Sequence, residues 1–357
     1  MTAAQATAAR TATTTAGTME PGLRTRLTER YGLASPITQA GMAFAGMTPP
    51  LGIAISEAGA MGSIAGVGIL PPEVVRMLVQ GVRAGTAKPF HVNFITPYCT
   101  DAHVDLMVEM RPAAVSFHWG AVPERWIASL KGAGIDVWEQ VGTLEAARLA
   151  ADNGVDVVIA QGVEAGGHNF AEAGTMAIVP AVVDAMGSRA LVLASGGIAD
   201  GRGIAAALAL GADGAWLGTR FVATREAAVA DEYKARMIAA TTGDTALTHV
   251  FGRHHPEFNP IRVLRNRVVG EWSERIGEIP ADTTDREPVG RMEMMGQETP
   301  LHPHTNLVPM PGATGDFEEL PLLAGQGVGL VRDLPGAGEV VARLVRETRE
   351  ALARAAR

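Results

Sequence analysis

The chain has 357 residues and a single cysteine, Cys99, which excludes an internal disulfide and every CxxC metal or redox motif. A lone thiol matches a reducing compartment, so a cytoplasmic location is expected. No block of lysines and arginines occurs. The net charge of −8 argues against nucleic acid and anionic membrane surfaces as partners. No apolar run is long enough to span a bilayer. Aromatics make up only 5%, with three tyrosines, so an aromatic pocket would have to rely on Trp119, Tyr98 and Phe94. Hydrophobic residues are plentiful at 47%, with 19% charged, which provides a large core and excludes disorder for the bulk of the chain. Residues 1–22 are the exception, and their Ala/Thr-rich composition reads as a disordered tail.

From Ser35 onward, short apolar runs alternate with helix-length segments. Eight candidate strands emerge: Pro36–Ala40, Met61–Ala65, Phe90–Ile95, Ala113–Phe117, Ile135–Gln140, Val155–Ala160, Ala190–Ala194 and Gly214–Gly218. Most are apolar throughout, as strands buried on both faces are. Between them, Pro72 opens a helix, Thr143 caps one that Gly154 stops, and Asp200 begins another. Eight such units over about 210 residues match the length of a (β/α)8 TIM barrel, an α/β fold, with a doubly wound sheet as the alternative. The barrel is assigned to 23–240. Residues 241–325 read as a small, mainly helical cap inserted after the eighth strand, with a helix at Ile261–Ile276 and loop over Ile279–Pro311. Residues 326–357 form a C-terminal segment with a closing amphipathic helix at Val340–Ala355.

The chemistry-bearing residues sit at strand C-terminal ends, the face where such barrels keep their active sites. The sixth strand runs into Gln161-Gly162-Val163-Glu164-Ala165-Gly166-Gly167-His168. Glycines allow close backbone approach to a ligand, and histidine can exchange a proton near neutrality. A tight strand-to-helix turn with a chance histidine is the bland alternative. Ser195-Gly196-Gly197 after the seventh strand and Gly218-Thr219 after the eighth suit a phosphate, which backbone N–H groups can hold without a basic side chain. Asn93, Gln140 and Gln161 carry amides suited to a polar ring edge. His118 and Trp119 end the fourth strand and are expected to line a substrate pocket with Tyr98. His254-His255 and His302-Pro303-His304 lack metal-type spacing, so no metal is expected. Gly201-Arg202-Gly203 is a weak dinucleotide match and is set aside.

Together, Pro36 to Met42, Ser116-Phe117-His118-Trp119-Gly120, Gln161 to His168, Ser195 to Gly203, Gly218 to Phe221 and Ala324 to Leu330 resemble the nitronate monooxygenases, formerly 2-nitropropane dioxygenases. The resemblance covers about residues 23 to 345 and extends to the FMN-dependent enoyl-acyl carrier protein reductases. It implies FMN as cofactor and His168 as the catalytic residue. Gly41, Met42 and Ala43 would lie along the flavin ring, with Asn93, Gln140 and Gln161 on its ring or ribityl groups. Gly166, Gly167, Ser195, Gly196, Gly197, Gly218 and Thr219 would lie around the cofactor and its phosphate, and Gln326 would approach from the cap. Two positions depart from the family pattern: Gln140, where many relatives have lysine, and Asn169-Phe170 after His168.

The activity so implied is oxidation of an alkyl nitronate or nitroalkane by O2 to a carbonyl compound and nitrite. Two rivals are an NAD(P)H-dependent flavin reductase of an enoyl thioester or quinone, and a flavin-binding accessory protein without catalysis. Exposed barrel helices commonly pair, which points to a homodimer.

Overall fold

A computed structural model describes residues 23–255 and 259–357; the tail expected at 1–22 lies outside them. Nine strands precede the cap: β1 Ile37–Gln39, β2 Gly62–Ile64, β3 Phe90–Ile95, β4 Ala114–His118, β5 Asp136–Val141, β6 Val157–Gln161, β7 Gly167–His168, β8 Leu191–Ser195 and β9 Gly214–Leu217. The helices among them are α1 Arg26–Tyr31, α2 Pro49–Glu57, α3 Pro72–Gly85, α4 Asp101–Met110, α5 Glu124–Gly132, α6 Leu144–Asp152, α7 Thr175–Met186, α8 Gly201–Ala209, α9 Thr219–Val222 and α10 Asp231–Ala239. All of these strands except β7 pair in parallel in the order β1-β9-β8-β6-β5-β4-β3-β2. A parallel bridge between Thr38 and Met61 closes the ring, making an eight-stranded barrel.

The barrel interior is packed rather than hollow. Trp138, Trp216, Met61, Val157, Ile159 and Leu193 fill it, and α1 lays Leu27 and Tyr31 across its N-terminal mouth. His91, fully buried, stacks between Trp138 (5.2 Å) and Trp216 (5.0 Å). Its Nε2 reaches the Gln39 carbonyl, so Nε2 carries the proton and Nδ1 accepts from the Ser116 hydroxyl, each at 3.0 Å. Burial pushes the His91 pKa down to about 4.

The sequence boundaries of the strands hold within two residues, and Thr143 and Asp200 cap α6 and α8 with their side chains. The cap differs from expectation. It contains β10 Thr245–Thr248, β11 Ile261–Leu264, β12 Gly290–Met294, β13 Gln297–Leu301 and β14 Thr314–Gly315, with α11 Arg267–Trp272 its one α-helix among the described residues. It is therefore built on two small antiparallel sheets rather than mainly on helix. Ile261–Ile276 splits because Ile261, Val263 and Leu264 supply a strand before Asn266 caps α11 through its side chain. The supposed loop at Ile279–Pro311 holds the β12–β13 hairpin, turned by Met295 and Gly296 at φ 54° and 76°. The last helix, α12 Ala337–Ala355, packs against α8 and α2, the place of the eighth barrel helix. The cap is thus an insertion between β9 and the helix that closes the barrel.

Candidate active site

The C-terminal ends of the barrel strands open into a cleft with about 850 Å³ of unfilled space, its open mouth included. Its wall contains Gly41, Met42, His118, Gln140, Gln161, Gly166, Gly167, His168, Ser195, Gly196, Gly197, Gly218 and Thr219, all singled out from sequence. Ala40, Ala165, Ile198, Trp216, Val222, Leu323, Gly325 and Gly327 also line it and were not anticipated. The run Ala324-Gly325-Gln326-Gly327 carried the signal, but the glycines, rather than Gln326, form the wall.

Five expected residues lie off the wall. Asn93 is beneath Gly41, where its Nδ2 donates to the Ser116 hydroxyl (2.9 Å) and its Oδ1 accepts the Gly66 N–H (3.2 Å). A Cβ at Gly41 would come within 2.3 Å of the Asn93 side chain, so the cleft floor here is bare backbone resting on an amide. Ala43, Trp119 and Tyr98 form a small apolar cluster with Ile95 beside the cleft. Gln326 donates its backbone N–H to the Glu164 carbonyl (2.9 Å), tying the C-terminal segment to the turn after β6.

That turn is held from several sides. The Glu164 carboxylate accepts the Thr175 N–H and hydroxyl, each at 2.9 Å, and so caps the start of α7 with negative charge. Asn169, buried, points its amide nitrogen at the carbonyls of Gly162, Val163 and Ala165 at 3.0–3.2 Å. The residue that departs from the family pattern is therefore a brace of the turn. Gln161 donates to the His168 carbonyl (3.0 Å). From the cap, β11 pairs with β7, and Arg262 donates from Nε to the Val163 carbonyl (2.9 Å). Arg262 and this pairing escaped sequence reasoning, because a two-residue strand carries no period.

His168 keeps an edge on the cleft but is packed deeply enough that burial holds its pKa well below the ordinary histidine value, and neighbouring His118 pushes the same way. Burial also takes His118 down to about 4. Both imidazoles are neutral at physiological pH and can accept a proton or a hydrogen bond. The Trp119 ring lies 3.8 Å from that of His168, centroid to centroid.

At the other end of the cleft, Gly196 and Gly197 take φ 110° and 71°, which side chains disfavour. Among the described residues no protein acceptor takes the N–H groups of Gly196, Gly197 or Thr219. Donors left unpaired in glycine turns form an anion cradle, and this one suits a phosphate monoester such as that of FMN. Arg220 does not serve it: its guanidinium reaches the Ala223 carbonyl (2.8 Å) and Asp333 (3.3 Å). His254, His302 and His304 border a separate cleft in the cap, and no cluster among the described residues has metal-holding geometry. None of the helices among them is long and apolar enough to cross a membrane.

A sequence profile of the nitronate monooxygenase family matches residues 95–347. A nitronate monooxygenase from Paraburkholderia phytofirmans is 31% identical, over 90% of this chain and 94% of its own. The (3aS,4S,5R,7aS)-5-hydroxy-7a-methyl-1-oxo-octahydro-1H-indene-4-carboxyl-CoA dehydrogenase of Mycobacterium tuberculosis is 32% identical, over 90% of this chain and 95% of its own. The structure of FabK from Thermotoga maritima superposes with a TM-score of 0.78 at 33% identity, covering 93% and 98% of the two chains. With its barrel, its histidine turn and these matches, the chain belongs to the nitronate monooxygenase family and is a flavin-dependent oxidoreductase.

Proposed function

We propose that the cleft binds FMN and that the enzyme oxidises an alkyl nitronate or nitroalkane with O2 to a carbonyl compound and nitrite. The observation that carries this reading is a neutral, deeply packed imidazole on the same cleft as a cradle of backbone N–H donors that no protein acceptor takes among the described residues. Gly196, Gly197 and Thr219 would hold the phosphate, and the bare backbone at Gly41-Met42 would lie along the ring. The flavin would supply the redox capacity, taking electrons from the electron-rich substrate and passing them to O2. His168 takes the α-carbon proton of a neutral nitroalkane on an unprotonated ring nitrogen, and once protonated donates a hydrogen bond to a nitronate oxygen. Gln161, anchored through Nε2 to the His168 carbonyl, keeps its amide oxygen for the cofactor. Gln140 adds a neutral amide where a lysine would bring charge.

One observation favours a second reading. The carboxyl-CoA dehydrogenase matches this chain as fully as the nitronate monooxygenase does. On that reading the same histidine serves an acyl thioester. An anaerobic absorbance titration separates the two. Flavin bleached by nitronate but not by NADPH or an acyl-CoA supports the first reading. Bleaching by NADPH or an acyl-CoA alone supports the second. No flavin spectrum after reconstitution with FMN removes both.

A further inference from the structure

Trp119 belongs to neither the cleft wall nor the helix-facing core. It is 8% exposed, its indole is 3.8 Å from the His168 ring at 62°, and it packs with Ile95, Ala43 and Tyr98. The exposed Phe170 ring lies in edge contact with it at 6.4 Å. Its backbone is unusual: Trp119 has φ 70°, and Gly120 follows at φ 97°. A bulky side chain rarely takes a left-handed conformation, and such strain persists only where the surroundings enforce it, commonly at functional sites.

We propose that Trp119 is a positioning residue for His168: its indole fixes the direction of the imidazole into the cleft and shields its far side from water. The inference rests on the role given to His168 above. A base that must take a carbon-bound proton needs a fixed direction and an unprotonated nitrogen, and a dry apolar partner provides both. The packing accounts for the direction of the His168 shift, whose largest cause is burial. The other titratable groups about the turn are engaged independently of Trp119. Glu164 is held by Thr175, and Arg262 by the Val163 carbonyl. His118 adjoins Trp119 at 5.1 Å and is itself neutral by burial. Tyr98, which packs in the Trp119 cluster, is in edge contact with His255 at 6.4 Å.

The test uses Trp119→Gly, which suits the left-handed backbone, and Trp119→Phe, which keeps a ring, both in flavin-loaded protein. The His168 ring is titrated by NMR with 13C-labelled histidine, and His168→Asn assigns the signal. In Trp119→Gly, His168 is expected to titrate at higher pH than in the wild type, while Trp119→Phe stays near it. The ratio of nitroalkane turnover at pH 6 to that at pH 8 should fall roughly threefold or more in Trp119→Gly. An unchanged or lowered His168 titration in Trp119→Gly overturns the proposal. If Trp119→Gly does not fold, Trp119→Leu carries the same reading. A raised titration with no nitroalkane turnover in any protein, wild type included, removes the proposed substrate and leaves the positioning role standing.

Discussion

Ile261 of the cap lies directly opposite His168 in an antiparallel pair, with Arg262 opposite Gly167. Asn169 extends the contact by donating its backbone N–H to the Pro260 carbonyl (3.0 Å). The cap is therefore the second strand of the histidine turn, and the position of the imidazole depends on a segment almost a hundred residues further along the chain.

Arg262→Met should expose this dependence. Methionine fills the aliphatic volume but removes the guanidinium donor from the Val163 carbonyl, which keeps only the Asn169 amide at 3.2 Å. A hydrogen bond from a charged group contributes about 1.5–3 kcal/mol. The cradle at Gly196-Gly197 makes no contact with Arg262, so flavin retention is expected to persist while turnover falls about tenfold, as a displaced catalytic group allows. Thermal melting and turnover of the flavin-loaded variant check both. Lost flavin with normal turnover per bound flavin would refute the clamp.

Gly41→Ala addresses the cleft floor. The added carbon would lie 2.3 Å from Asn93, whose amide is already committed to Ser116 and Gly66 and cannot retreat. Overpacking of this kind costs about 1–3 kcal/mol, here at the expected ring site. Flavin affinity should drop about tenfold or more by equilibrium dialysis, and Asn93→Gly in the same chain should restore part of it. Unchanged affinity in the single variant would place the flavin elsewhere.

The barrel was legible because its strands are buried on both faces and therefore apolar without a break, as in Val157–Ile159 and Leu191–Ala194. The cleft was legible where glycine and polar residues interrupt those runs at their C-terminal ends. Composition could not separate contact from support. Asn93 and Trp119 look like ligand residues in sequence, yet each turns toward a neighbouring residue, Asn93 under Gly41 and Trp119 behind His168. The pairing of β11 with β7 was hidden for a different reason: Arg262 sits buried in an apolar stretch that also reads as one helical face, and its partner strand has only two residues.

His168→Asn should keep the flavin, since the cradle is untouched, and should lose turnover of neutral nitroalkane by about 10²–10⁴-fold, the usual worth of a general base. Preformed nitronate, already lacking the α-proton, should be affected far less. Flavin absorbance and oxygen uptake with each substrate form measure this. Equal losses on both forms would assign His168 to binding rather than proton transfer.

Glu139 gives a prediction with a defined sign. It lies on β5 next to Gln140 and is 4% exposed, and among the described residues its carboxylate has one polar contact, the Val122 N–H at 3.5 Å. Burial raises its pKa from 4.5 to about 7, the weak Val122 bond opposing slightly. The folded state thus holds a proton between pH 4.5 and 7 that the unfolded chain releases, so stability falls as pH rises through that window. Above pH 7 the buried carboxylate costs the fold about 3 kcal/mol relative to a neutral group of the same shape. Glu139→Gln removes the charge and keeps the volume. It should stabilise the protein at pH 8 by up to that amount in denaturant unfolding, and change little at pH 5, where the folded wild type is already protonated. Equal destabilisation at both pH values would mean that the carboxylate has a partner whose loss outweighs its burial.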